Sequence, residues 1–291
     1  MNIYLAAMEQ KDSFAIIKSG IVHNAFLSYY YIFRKKNSYD SNREMFRNNI
    51  KRIIIDCGAH SFFANMNSNL SASVKKNKYK EKQSLEEYFN HYIKWVEKNY
   101  DYFDYFIELD VGEIVGQEKV LEWRNIIKAK GLYKKCITVM HPRVMSWEDY
   151  LKLLDDSESK YIAIESDRKY RKRLPYNKYL KVAYEKGIRV HGFAMTKTDA
   201  LGVYPFTSVD SSSWKAGAQY GTGKALTKKG FVNVKFKDKK KCMSLPNTIG
   251  IHSANKEENR TSRYILAIKA YQKMASHFTD LWKKRGITWK D

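Results

Sequence analysis

The stretch IRVHGFAMTKTDALGVYPFTSVDSSSW, residues Ile188 to Trp214, decides how the chain is read. It begins with an apolar run carrying His191 and passes through a polar turn. It ends on a second short run, Phe206 to Val209, that delivers Asp210 into Ser211-Ser212-Ser213-Trp214. A short β-prone run that ends in a carboxylate and three hydroxyls is poorly suited to a core. It is well suited to holding an acid at the mouth of a barrel. The competing explanation is that Asp210 caps a following helix, where Asp and Ser are favoured.

Working outward, further β-rich runs recur with the same habit. They are Asn2 to Ala6, Ala25 to Ile32, Arg52 to Cys57, Tyr105 to Val111, Cys136 to Met140 and Tyr161 to Ile164. With Arg189 to Ala194 and Phe206 to Val209 they make eight. Between them lie segments of helical period. Ser84 to Lys98 spaces Leu85, Tyr88, Phe89, Tyr92, Ile93 and Val96 by three and four. Gln117 to Lys130 and Trp147 to Leu154 follow the same pattern, and Asp199 is placed to cap a short helix. Strands apolar on both faces, alternating with helices, imply a parallel sheet. Eight such units predict an α/β fold, a (β/α)₈ barrel. The alternative is an open doubly wound sheet, but no GxGxxG opens a first helix.

The expected organisation is one domain over 1–291. A basic insertion at about 65–83 contains VKKNKYKEK, and a C-terminal extension spans about 222–291. In that extension FVNVKFKDKKKCM reads as a small β excursion or a loop, and Glu257 to Lys284 as a last amphipathic helix closing the barrel. The chain holds 53 Lys and Arg against 31 Asp and Glu, a net +22, which favours polyanionic partners, with nucleic acid before an anionic membrane. Hydrophobic content of 44% argues against global disorder. Cys57, Cys136 and Cys242 are far apart, forming neither a disulfide framework nor a CxxC site. No basic leader or membrane-length apolar run is present, so a cytoplasmic protein with no membrane partner is expected.

Chemistry is expected where the polar residues fall. Asp56, Asp110, His141, Glu165, His191 and Asp210 all sit at or near the carboxyl ends of predicted strands. Barrel enzymes place their active sites at that face. Paired carboxylates suit chemistry at an anomeric carbon, one attacking or stabilising the sugar while the other moves a proton. Crowding acids in one cleft pushes their pKa values apart, so that one stays protonated while another ionises. A carboxylate can also accept two hydrogen bonds from the N1–H and 2-amino edge of guanine. Taken alone, His191 is more often a hydrogen-bonded strand histidine than a catalyst, and Trp214 belongs under the barrel rim.

These residues resemble a known family. Asp56-Cys57-Gly58-Ala59-His60-Ser61-Phe62 is similar to the Asp-Ser-Gly-Gly-Phe stretch of the tRNA-guanine transglycosylases. Ser28-Tyr29-Tyr30 is similar to the preceding strand of that fold, and Ser208-Val209-Asp210-Ser211 falls where the family keeps its nucleophilic aspartate. The His191-to-Thr196 stretch, the Tyr-Pro pair and SVDSSSW look closer to phage and bacterial relatives that insert 7-deazaguanines into DNA. The resemblance runs over roughly Asn2 to Gly223 as scattered short motifs. It implies a base exchange: Asp210 attacks C1′ of a target guanosine and expels guanine, and a 7-deazaguanine such as preQ0 then takes its place. Asp56 would shuttle the proton, Asp110 would hold the base edge, and His141, Glu165, His191 and Ser61 would line the pocket. A phage-encoded enzyme acting in a host cytoplasm is compatible with it.

The departures bear on the substrate. The tRNA enzymes carry a CxCxxC…H zinc site, and no such spacing occurs here, so no zinc or other cofactor is expected. The family's Gly-Gly-Leu is replaced by Ile164-Glu165-Ser166, and its Pro-Thr-Arg by Ser212-Ser213-Trp214. DNA is therefore the expected partner, with tRNA the alternative. Arg168, Lys169, Arg171, Lys172 and Arg173, with Tyr170 among them, follow the sixth strand and would neutralise phosphates. The alternative for such a run is a solvated surface. Two other readings remain beside the exchange: a metal-dependent barrel hydrolase with strand-end His and Asp as ligands, and a binding protein on a barrel without activity.

Overall fold

Eight parallel strands close on themselves in chain order: β1 (Asn2–Ala6), β2 (Asn24–Ser28), β3 (Arg52–Asp56), β4 (Tyr105–Ile107), β5 (Cys136–Met140), β6 (Tyr161–Ile164), β7 (Arg189–Gly192) and β8 (Ser208–Ser211). The closing pair is β8 with β1, in the register Asn2↔Ser208 to Leu5↔Ser211. The structure is a computed structural model; it describes residues 1–34, 39–59, 61, 78–165, 174–220, 222–227, 230–235 and 256–289. The (β/α)₈ barrel is thus the fold. Its strands are apolar on both faces, as a sheet needs when one face fills the barrel and the other meets helices. Ile53, Ile54 and Ile55 of β3 are all fully buried. Each such side chain contributes roughly 1.5–3 kcal/mol relative to exposure.

Five strands, β2, β3, β4, β7 and β8, differ in their limits from the sequence expectation; β3 stops at Asp56 instead of Cys57 and β7 at Gly192 instead of Ala194. The aromatic run AFLSYYYI leaves the sheet at Ser28, and Tyr29–Arg34 is helical. Tyr29 packs against the rings of Tyr88, Tyr92 and Trp95 on the helix Lys78–Lys98, so tertiary packing overrides the β preference of tyrosine. β4 stops at Ile107; the Glu108 N–H still donates to the Ile137 carbonyl of β5 while its side chain binds Arg124. β8 starts at Ser208 and continues through Asp210, so the carboxylate lies within the strand instead of after it.

The helices Gln117–Ala129 and Trp147–Asp156 lie where the periodicity places them, and the second begins with a capping box between Ser146 and Asp149. Asp199 sits in the first turn of Thr198–Val203 and accepts from the Ala200 N–H, although Lys197 is the capping position. The last helix, Lys256–Lys284, buries Tyr264, Ile268, Tyr271, Met274, Phe278 and Trp282 along one stripe. The expected β excursion is a hairpin of β9 (Thr222–Thr227) and β10 (Gly230–Lys235). Most of the basic insertion lies outside the described residues, but its end from Lys78 belongs to the helix Lys78–Lys98. Among the described residues no helix is long and apolar enough to cross a membrane.

Candidate active site

The six strand-end residues share one face of the barrel. Asp56 is the last residue of β3, and His141 and Glu165 directly follow β5 and β6. Asp110 stands three residues past β4, while His191 and Asp210 lie in β7 and β8. Asp210 does not cap the following helix. Its Oδ1 accepts instead from the Ala194 N–H at 2.7 Å and lies 3.3 Å from His191 Nε2. Ser211 Oγ takes the N–H of Ser213 at the start of the helix Ser213–Gln219.

The two acids singled out for catalysis are each held by an amide from a left-handed residue. Gly58, at φ 76°, donates to Asp56 Oδ2 at 3.1 Å. A Cβ there would stand 2.5 Å from Tyr30 Cβ, so only glycine fits. Ala194, at φ 50°, carries the amide that meets Asp210. A non-glycine residue in that conformation stores strain of order 1 kcal/mol, a cost that persists where the surroundings over-determine it. Strands β1 and β2 separate Asp56 from Asp210 around the barrel, yet their charges interact. Burial, then the negative charges of Asp210 and Asp110, raise the Asp56 carboxyl from 3.8 to about 7, against the pull of the Gly58 N–H.

Beneath Asp210 runs a line of buried polar groups. His191 is fully buried, stacked on Phe26 at 5.2 Å, with its Nδ1 2.6 Å from Ser208 Oγ. Ser208 Oγ in turn bonds the hydroxyl of Tyr161. The directions are consistent with a neutral imidazole: Tyr161 donates to Ser208, Ser208 to Nδ1, and Nε2–H to the Asp210 carboxylate. Ser, His and Asp in sequence resemble a hydrolase triad, but Ser208 is fully buried and Asp210 is the end nearer the mouth. The serine and histidine hold the Asp210 carboxylate in position.

Across the mouth, His141 is clamped between two acids. Its Nε2 lies 2.7 Å from Asp110 Oδ1 and its Nδ1 3.2 Å from Glu165 Oε2. The Asp110 contact is an ion pair without the alignment of a hydrogen bond. Burial opposes a charge on the ring, but the two carboxylates outweigh it and raise His141 to about 10. Glu165 is lowered by the His141 bond and by Arg143, which reaches Glu165 Oε1 at 3.2 Å and Glu113 at 3.1 Å. An imidazolium between Asp110 and Glu165 fixes both carboxylates while each keeps part of its surface at the mouth.

Ser61 is half-buried on the connection leaving β3, five residues beyond Asp56. Arg168, Lys169, Arg171, Lys172 and Arg173 lie outside the described residues, as does His60. Trp214 packs under the rim as expected, donating its Nε1–H to the Ala6 carbonyl at 2.9 Å. Sequence reasoning missed Glu9, a buried glutamate whose charge adds to the rise at Asp56. The signal was present: Glu9 follows β1 by three residues, as Asp110 follows β4. It also missed Ser208 and Tyr161, which period-two alternation places on the inner face.

No family model matches this chain, and no curated protein matches it. Among solved structures, the chain is similar to the YdjI aldolase from Escherichia coli K12, with 7% identity and a TM-score of 0.48. That alignment covers 94% of this chain and 90% of the aldolase.

Proposed function

We propose that the protein is an enzyme, a guanine transglycosylase that exchanges guanine in DNA for a 7-deazaguanine. One observation carries the proposal. A proton-holding acid, Asp56, and a carboxylate braced by His191 and Ala194, Asp210, share one mouth closely enough for their charges to interact. That is the division of labour a two-step displacement at a sugar carbon requires.

In the first step an oxygen of Asp210 bonds to C1′ as the bond from C1′ to guanine N9 breaks. Asp56, about half protonated near pH 7, gives its proton to the departing base and becomes a carboxylate. In the second step N9 of the incoming 7-deazaguanine bonds to C1′, the C1′–O bond to Asp210 breaks, and Asp56 takes the N9 proton. Both acids end as they began. Asp110 would accept from the N1–H and 2-amino group of the base, held in place by His141, with Glu165 and Ser61 beside it. The target base must leave the duplex to enter the mouth. The charge of +22, the Arg168 to Arg173 run and the strongly exposed ring of Tyr220 suit a phosphate backbone and a stacked base.

Both ring nitrogens of His141 and of His191 already face protein partners. Neither imidazole offers a lone pair without rearrangement, which weighs against the metal-dependent hydrolase. The test is incubation with labelled guanine or preQ0 and, separately, DNA and tRNA, followed by nucleoside mass spectrometry. Incorporation into DNA is expected; incorporation into tRNA alone would move the activity to the alternative substrate, and none into either would refute the proposal.

A further inference from the structure

The opposite end of the barrel holds a cleft of about 380 Å³, lined by the amino ends of β1, β3, β4, β6 and β7. Among the described residues, five cationic side chains, Arg47, Arg52, Lys134, Lys135 and Arg189, border it, with Asp104 the one carboxylate in its lining. Asp104 is already engaged, by Arg47 through both oxygens and by the Ile53 N–H at 2.7 Å. Arg189 and Lys135 are positioned by neutral groups. Arg189 donates to the Tyr105 hydroxyl at 2.6 Å and the Ser159 carbonyl at 3.2 Å, and lies over the rings of Tyr105 and Tyr161. Lys135 donates to the carbonyls of Tyr100 and Phe103. Among the described residues Arg189, Lys134 and Lys135 make no ion pair with a carboxylate.

A cation tethered by a carbonyl or a ring has no counter-charge to cancel it, although burial lowers the Lys135 pKa somewhat. Gathering several around one concavity raises a positive potential that a bound anion relieves. Guanidinium forks match phosphate geometry, and the volume lies within the range of small-ligand sites. Four to five strand residues, about 15 Å, separate this cleft from the acids at the mouth, so it is not part of that site. The geometry points to a second binding site here, for a small phosphate-bearing ligand of nucleoside monophosphate size. The plainer role for such a cluster is to plug the base of the barrel, and the experiment separates the two.

Titration calorimetry of the full chain with inorganic phosphate, and with adenosine monophosphate, tests this. Arg52→Gln removes a fork at the cleft, and Lys134→Gln, at an exposed position, removes a charge with little risk to folding. Lys181→Gln, on the helix Tyr176–Glu185 and away from the cleft lining, controls for net charge. We expect binding weakened roughly tenfold by Arg52→Gln and about threefold by Lys134→Gln, and unchanged by Lys181→Gln. Equal binding in wild type and both cleft variants would overturn the proposal, as would equal weakening by the control. A cleft whose variants lose affinity for a DNA duplex, with neither phosphate nor adenosine monophosphate bound, would make it a backbone contact and also overturn it.

Discussion

Glu108, a buried carboxylate just past one barrel strand, and Asp56, a half-buried one at the end of another, do opposite things. Glu108 meets Arg124 through two bonds of 2.6 and 2.7 Å and takes the Val139 N–H at 2.6 Å. Its charge is cancelled and its lone pairs are used, leaving nothing for a substrate. Asp56 receives one amide and faces Asp210, Asp110 and Glu9, all of its own sign. Burial alone therefore does not mark a site; the sign of the neighbours does. Asp110 stands two residues beyond Glu108, so the division between frame and mouth runs through one short run of sequence.

The comparison breaks most visibly if the mouth is not where chemistry occurs. Asp210→Ala should lower labelled-guanine exchange by about 10⁴-fold or more, with nucleic-acid affinity kept within a few-fold. Exchange at the wild-type rate would remove Asp210 as nucleophile. The paired acid should respond the other way round. Glu108→Gln leaves Arg124 buried without its counter-charge and should cost about 3–5 kcal/mol in urea unfolding. A loss under about 1 kcal/mol would show that the pair contributes little to the frame. Exchange per folded molecule should survive that change.

Smaller effects sharpen the contrast. Ser208→Ala removes a bond to His191 without touching substrate and should lower kcat roughly 10–100-fold while leaving KM near wild type. A change confined to stability would reduce Ser208 to packing. The two sides of the mouth should also differ in pH response. Asp56 is raised in the folded state, so the native protein holds an extra proton between 3.8 and about 7, and the group's contribution to stability falls as pH rises through that window. Urea midpoints should show the decline in wild type and lose it in Asp56→Asn. His141 is raised too, but as a cation: its contribution is full below 6.5 and is lost as pH climbs through about 10. His141→Gln should flatten that upper limb, and an unaltered profile would exclude the clamp as its source.

The barrel was legible because its strands announce themselves as short apolar runs bounded by polar turns; β1, β5 and β6 begin and end where the sequence places them. Limits failed where tertiary contacts decide. Tyr29 to Ile32 has strand-like composition but folds as helix, because the helix Lys78–Lys98 supplies an aromatic surface that local propensity cannot register. Strand-end position placed Asp56, Asp110, His141, Glu165, His191 and Asp210 at one face of the barrel, where the fold gathers them. It could not separate Glu108 from Asp110, since that depends on Arg124, sixteen residues from Glu108. Glu9 was overlooked because it follows a short polar-flanked strand with no motif around it. The line from Tyr161 through Ser208 to His191 joins three strands, and only closure of the barrel brings it together.

The central claim is that burial, reinforced by the charge of Asp210 across the same mouth, holds the proton on Asp56. Carbon-detected titration of the Asp56 carboxyl, in wild type and in Asp210→Asn, measures this directly. A midpoint near 7 that falls in the variant, yet stays above the ordinary carboxylate range because burial persists, is the predicted result. An ordinary midpoint in wild type, or a raised one indifferent to Asp210→Asn, would contradict it.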